Sequence, residues 1–121
     1  RALVDVRRNA ISRKYGFSKN TLARILKEFS IAYIHLPELG IGSDQRQSLN
    51  SAQDYEDLFD DYENDVLIRT PCVLNGLIEV LTSHRRIALT CFEGSSTMCH
   101  RGRIVDSLAK DLANDVAIAH L

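Results

Sequence analysis

The residues with the widest chemical range fall in one short stretch, Cys91-Phe92-Glu93-Gly94-Ser95-Ser96-Thr97-Met98-Cys99-His100-Arg101. An apolar run ends at Cys91 and an amphipathic pattern begins near Cys99, so the stretch reads as strand, small-residue loop, helix. Gly94 predicts an unusual backbone turn. The first amides of a helix are unpaired and its dipole adds partial positive charge there. Such a turn suits an anion, phosphate or carboxylate, and Arg101 and Arg103 in the first helical turn would sharpen the field. Helix amides and nearby cations favour the thiolate of Cys99. The stretch therefore offers Cys99 as a nucleophile, with Glu93 and His100 as proton carriers. Cys91 closes an apolar run and reads first as a packed thiol bordering the ligand.

Ligands of open α/β sheets lie beyond the carboxyl ends of the strands. That rule adds Asp5-Val6-Arg7-Arg8, and Tyr33, His35 and Glu38 at the end of another apolar run. The expected ligand-binding set is Asp5, Arg7, Arg8, Tyr33, His35, Glu38, Cys91 and Arg101, with Asp5 orienting Arg7. His35 also fits a structural role, satisfied by a backbone carbonyl. Cys91, Glu93, Cys99, His100 and His35 include zinc-compatible groups, but Cys-x7-Cys-His is neither a finger nor a ribbon spacing, so no metal is assigned. No Gly-x4-Gly-Lys loop is present, and Thr97 stands where a Cys-x5-Arg phosphatase loop would need its arginine. The residues name no cofactor.

These groups must be held by regular elements. Ala2 to Val6 reads as a buried strand. Ser18 is placed as an N-cap before a helix over 19–29, with Leu22, Ile25, Leu26 and Phe29 on one face. Ile31 to Leu36 is a second strand, stopped by Pro37 and Gly40. Residues 40–50 read as a mobile polar loop. Ser51 and Asp54 fit a capping box. Thr70-Pro71 opens a helix to about Ser83. Arg86 to Cys91 is the clearest strand, Ile104 to Leu112 marks a helix, and Val116 to His120 a last strand. The order β-α-β-α-α-β-α-β predicts one Rossmann-like, three-layer α/β domain over 1–121 with a mainly parallel sheet.

The chain has 121 residues, 45% hydrophobic and 26% charged, with a formal charge of −1. Near-neutrality argues against a general polyanion binder. Charge is nonetheless uneven. Residues 1–50 hold nine basic and four acidic side chains, and residues 51–65 hold seven acidic and no basic ones. The acidic stretch reads first as a solvated helix face. Three cysteines do not make a disulfide framework, which points to a reducing compartment, the cytoplasm, and Cys72 is given a core or neutral role. No apolar run is long enough to span a bilayer. The expected partner is a small anionic or nucleotide-like ligand. The alternative is a non-catalytic module binding nucleic acid or protein through residues 7–19, with Arg7-Arg8, Arg13-Lys14 and Lys19 near Tyr15 and Phe17. Oligomeric state is not legible.

Two strand-like runs, Leu3-Val4-Asp5-Val6-Arg7 and Ile87-Ala88-Leu89-Thr90-Cys91, resemble the hallmark strands of rhodanese-type sulfurtransferases, but the compact cysteine loop closed by an arginine is missing. Four stretches taken in order carry a closer likeness. They are Leu3-Val4-Asp5-Val6-Arg7, Ser12-Arg13-Lys14-Tyr15-Gly16-Phe17-Ser18, Ile34-His35-Leu36-Pro37-Glu38-Leu39-Gly40, and Cys91-Phe92-Glu93 with Cys99-His100-Arg101. Together they resemble the bacterial and archaeal family called domain of unknown function 488. The resemblance implies a Rossmann-like domain with these motifs around one cleft, and implies no established activity. It also implies a further strand and helix, with a Gly-His-Ser-type turn, ahead of Ala2, so the domain is expected to be N-terminally truncated.

Overall fold

The computed structural model describes residues 1–68, 71–94, 98–112 and 115–120. Three strands form one all-parallel sheet: β1 (Ala2–Asp5), β2 (Ala32–His35) and β3 (Ile87–Thr90), in the order β2-β1-β3. β1 is central. Ala2 sits opposite Ala32 on one side and Ile87 on the other, and Asp5 opposite His35 and Thr90. Parallel neighbours require crossovers, and helices supply them. α1 (Lys19–Glu28) joins β1 to β2. α2 (Ala52–Tyr62), a π-helical continuation (Glu63–Ile68) and α3 (Pro71–His84) lie between β2 and β3. α4 (His100–Asp111) follows β3. The result is the α/β, Rossmann-like arrangement expected from the alternation of elements.

The local signals behave as their chemistry requires. Ser51 accepts from the Asp54 amide while Asp54 reaches back to the Ser51 amide, completing the capping box of α2. Pro71 is the first residue of α3, and the proposed cap Thr70 lies outside the described residues. Ser18 is an N-cap by backbone geometry only. Its hydroxyl is engaged by Ser12, accepting from the Ser12 amide at 3.0 Å and donating to the Ser12 carbonyl at 3.1 Å. That pair closes the loop ahead of α1.

Three expectations are revised. Val116 to His120 does not form a strand, and its residues line a groove of 790 Å³ with Leu3, Ile87 to Leu89 and α4. Val116 and Ile118 favour a strand, but a strand needs a partner and among the described residues the segment pairs with none. Gly94 does not adopt a left-handed backbone. Among the described glycines only Gly16 does, at φ 85°. The acidic stretch is also not simply solvated. Arg103 of α4 pairs with Glu56, Asp60 and Glu63 at 3.0, 3.1 and 3.0 Å, fastening α4 to α2.

The core lies where the helices meet the sheet, with Val4, Val6, Leu39, Ile41, Phe59, Tyr62, Leu77 and Ile104 buried. The 3₁₀ turn Pro37–Leu39 after β2 presses against the segment after β1. Gly40 makes that approach, because a Cβ there would overlap the Arg8 amide nitrogen and stand 2.5 Å from its Cα. Backbone atoms cannot yield as a side-chain tip can.

Gly40→Ala should therefore destabilise the protein by about 1–3 kcal/mol or more, as overpacking does. Gly76→Ala, inside α3 with nothing within 4 Å of its Cβ position, should instead stabilise it by up to about 1 kcal/mol. Urea unfolding of the two variants checks the opposite signs.

Candidate functional site

β1 delivers its last residues into the interior. Asp5 is fully buried, Val6 likewise, and Arg7 is 3% exposed. Buried polar groups need partners, and each finds one. The Asp5 carboxylate accepts from the Arg7 amide at 3.1 Å, Arg7 Nε at 2.8 Å and Arg7 Nη2 at 2.5 Å. The Tyr33 hydroxyl donates to the same carboxylate at 2.6 Å. His35 Nε2 donates to the Arg7 carbonyl at 2.8 Å, the carbonyl-satisfied role open to it from sequence. Burial pushes the Asp5 pKa up, but the hydrogen bonds from Arg7 and Tyr33 outweigh it and leave the carboxyl below its usual range. Burial, with Asp5 beside it, raises the Tyr33 hydroxyl well above its ordinary value. Asp5 thus orients Arg7, and Arg7 is committed to Asp5.

The second cluster is built on the first. His100 is fully buried at the start of α4, and its Nε2 lies 3.1 Å from the Val6 carbonyl. A carbonyl only accepts, so Nε2 carries the hydrogen and the Nδ1 lone pair faces the other way. There it meets Cys91 Sγ at 3.4 Å and Cys99 Sγ at 3.9 Å. Cys91 follows β3, and its Sγ is 2.9 Å from Glu93 Oε2. Cys99 is the N-cap of α4 and accepts from the Arg101 amide at 3.5 Å. Tyr62 packs edge-on against the His100 ring, with centroids 5.3 Å apart. Cys91, Glu93, Cys99 and His100 each contribute one donor atom to a group lying within 4.8 Å of one another.

The two thiols are unequal. A hydrogen bond from the Cys99 thiol holds the Cys91 pKa low against burial, with His100 adding to the effect. The same bond and its own burial keep the proton on Cys99. Burial and the neighbouring sulfur raise Glu93. Cys99 is buried, whereas Cys91 is half-buried. The nucleophile expected at Cys99 is therefore the less accessible thiol, and the thiol read as packing sits at the centre of the cluster.

One cation at the site was not anticipated. Arg46, in the 3₁₀ turn Asp44–Arg46, forms an ion pair with Glu93 Oε1 and places Nη2 3.3 Å from His100 Nδ1. Among the described residues its buried Nε has no hydrogen-bond partner. Arg46 and Arg7 lie over the half-exposed Phe92 ring, 5.6 and 5.4 Å from its centroid. The only sequence signal was a lone arginine in a stretch rich in Gly, Ser and Gln. The other predicted arginines look elsewhere. Arg101 donates to the Gly94 carbonyl, Arg103 serves the acidic helix, and Arg8 Nη1 reaches the Pro37 carbonyl at 3.4 Å. Glu38 is exposed on its 3₁₀ turn. Ser95 to Thr97 lie outside the described residues.

The large groove on the sheet reaches Arg101 but is lined by neither Arg7 nor Cys91. Among the described residues, no single helix is long and apolar enough to cross a membrane. The sequence model of the family described as Domain of unknown function DUF488 matches residues 1–108. No curated protein and no solved structure matches the chain.

Removing one partner of a buried ion pair strands the other charge. Asp5→Ala should cost about 3–5 kcal/mol of unfolding free energy. Because the folded Asp5 pKa is depressed, its contribution is fully present above the unfolded value of about 3.9 and fades as pH falls through the folded one. Stability measured by urea unfolding from pH 6 downward should drop in the native protein, and Asp5→Ala should lack that portion of the drop.

Proposed function

With the chain belonging to the DUF488 family, we propose that it is an enzyme-type domain. It holds a small anionic ligand beside the Cys91–Glu93–Cys99–His100 cluster. One observation carries the reading: Arg46, Cys91, Glu93 and His100, drawn from three separate stretches of chain, converge beyond the carboxyl ends of β1 and β3. Ligands of open α/β sheets are bound on that side. A thiol, a carboxylate and an imidazole within hydrogen-bond reach provide nucleophilic and proton-transfer groups.

Arg46 supplies the charge that selects an anion. Its guanidinium is planar, always protonated and suited to two-point contact with a phosphate or carboxylate. One of its donors has no partner among the described residues, so an acceptor brought in by a ligand would satisfy it. Phe92, half-exposed between two guanidinium groups, offers a flat apolar face for a planar ligand moiety. Arg7 acts through position. It holds Phe92 and the end of β1, and its own charge is met by Asp5.

A second reading rests on the loop between β1 and α1. Tyr15 is 88% exposed, Ile11 and Phe17 are also exposed, and Arg8, Arg13, Lys14 and Lys19 surround them. Lys14 lies 4.8 Å above the Phe17 ring. Cations interleaved with exposed aromatic rings are the means by which single-stranded nucleic acid is held. Binding of a short single-stranded oligonucleotide should then weaken steeply with salt, and absence of binding at low salt removes that reading.

For the anion site, inorganic phosphate or AMP should raise the melting temperature of the native protein. Arg46→Ala should weaken binding about ten- to a hundredfold, the usual worth of a charge-assisted hydrogen bond. Titration calorimetry decides it. If neither anion binds, or if Arg46→Ala binds as tightly as the native protein, the reading fails.

A further inference from the structure

We infer that Cys91, Cys99, His100 and Glu93 form a four-coordinate site for a thiophilic divalent cation, zinc in the first instance. The inference rests on the location proposed above but not on any bound anion. It gives the cluster a different chemical role: the two sulfurs act together as ligands, and Cys91 does not act as a nucleophile served by a base.

The argument begins with the donor set. Four electron-rich atoms, two sulfurs, one imidazole nitrogen and one carboxylate oxygen, face one another within 4.8 Å, on buried Cys99 and His100 and half-buried Cys91 and Glu93. Groups whose lone pairs converge repel unless protons or a cation lie between them. Thiolate, imidazole and carboxylate are zinc ligands. Tetrahedral zinc with bonds of about 2.3 Å to sulfur and about 2.0–2.1 Å to nitrogen has sulfur–nitrogen edges near 3.5 Å. The Cys91 and Cys99 sulfurs lie 3.4 and 3.9 Å from His100 Nδ1 and bracket that edge. The Cys91–Glu93 separation of 2.9 Å is shorter, as a thiol–carboxylate hydrogen bond would make it.

The surrounding groups supply the second observation. A ligating histidine almost always donates its other ring hydrogen to a carbonyl or carboxylate. His100 Nε2 does so to the Val6 carbonyl and turns Nδ1 toward the sulfurs, where a metal would displace its 3.3 Å contact with Arg46 Nη2. Arg46 occupies Glu93 Oε1 and turns Oε2 toward the sulfurs. Charge also balances. Two thiolates and a carboxylate around a divalent ion leave one negative charge, and the Arg46 guanidinium neutralises it. The Cys-x7-Cys-His spacing matches no finger or ribbon, yet it suits a strand end and a helix start joined by a loop.

The experiment uses the full chain, purified without chelator. Elemental analysis should find about one zinc per chain. Cobalt(II) added to the metal-free protein should give tetrahedral visible bands with a thiolate-to-cobalt charge-transfer band. Cys91→Ser, Cys99→Ser and His100→Gln should each weaken cobalt affinity at least tenfold, while Cys72→Ser leaves it unchanged. Because His100 is buried and its loss can unfold the protein, Glu93→Gln provides a milder variant, with a shifted visible spectrum and retained circular dichroism. Folded native protein that holds no stoichiometric zinc and gives no cobalt bands overturns the inference. So does a cobalt spectrum unchanged by Cys91→Ser. Zinc bound without any response to phosphate or AMP supports this inference and removes the anion reading; the opposite pattern does the reverse.

Discussion

The site depends on one constraint: β1 ends inside the protein. Its last residues carry Asp5, Val6 and Arg7 into the interior, and past the bonds of Val6 to Thr90 and Leu36 to Asp5 the Val6 and Arg7 carbonyls need partners from side chains. Backbone groups left unpaired in the interior cost as much as lost hydrogen bonds. Two neighbouring elements answer. β2 sends Tyr33 to Asp5 and His35 to the Arg7 carbonyl, and α4 sends His100 to the Val6 carbonyl. These bonds clamp β1, β2 and α4 together, and the side-chain cluster around His100 takes its position from them.

His100 links structure to chemistry. One ring nitrogen is spent on Val6, which fixes the tautomer and aims the other nitrogen at the two sulfurs. The strand–loop–helix unit from β3 to α4 then acts as a caliper. Cys91 and Glu93 stand just past the strand and Cys99 and His100 at the helix start, with their donor atoms within 4.8 Å of one another. Arg46 closes the arrangement from a third segment, held by Glu93.

The groove on the sheet is organised differently. A groove of 790 Å³ runs from Ala2 and Ile87 to α4 and residues 115–120, with apolar walls and Arg1, Arg85, Arg86 and Arg101 among its lining. β3 is an edge of the observed sheet, and β3 meets this groove through Ile87 to Leu89. Arg101 thus belongs with the groove and the Gly94 carbonyl as much as with the cluster two residues before it. The fastening of Arg103 to the acidic face of α2 removes it from the helix start where its position along the chain had placed it.

The sequence by itself determined the α/β alternation, the parallel sheet, the helices marked by Ser51-x-x-Asp54 and Pro71, and the two segments at which chemistry gathers. These are local matters, written in apolar periodicity, caps and turns, and they survive any reasonable packing. Only the tertiary structure decided which thiol is accessible, that His100 faces both sulfurs although adjacent helix residues point apart, and that Arg46 rather than Arg101 or Arg103 serves the cluster. Partners 47 to 94 residues apart in the chain leave no periodic trace, because such contacts depend on how whole elements dock. The final strand failed for the related reason that a strand is stabilised by its neighbours: Val116 and Ile118 favour one, but no described strand pairs with them.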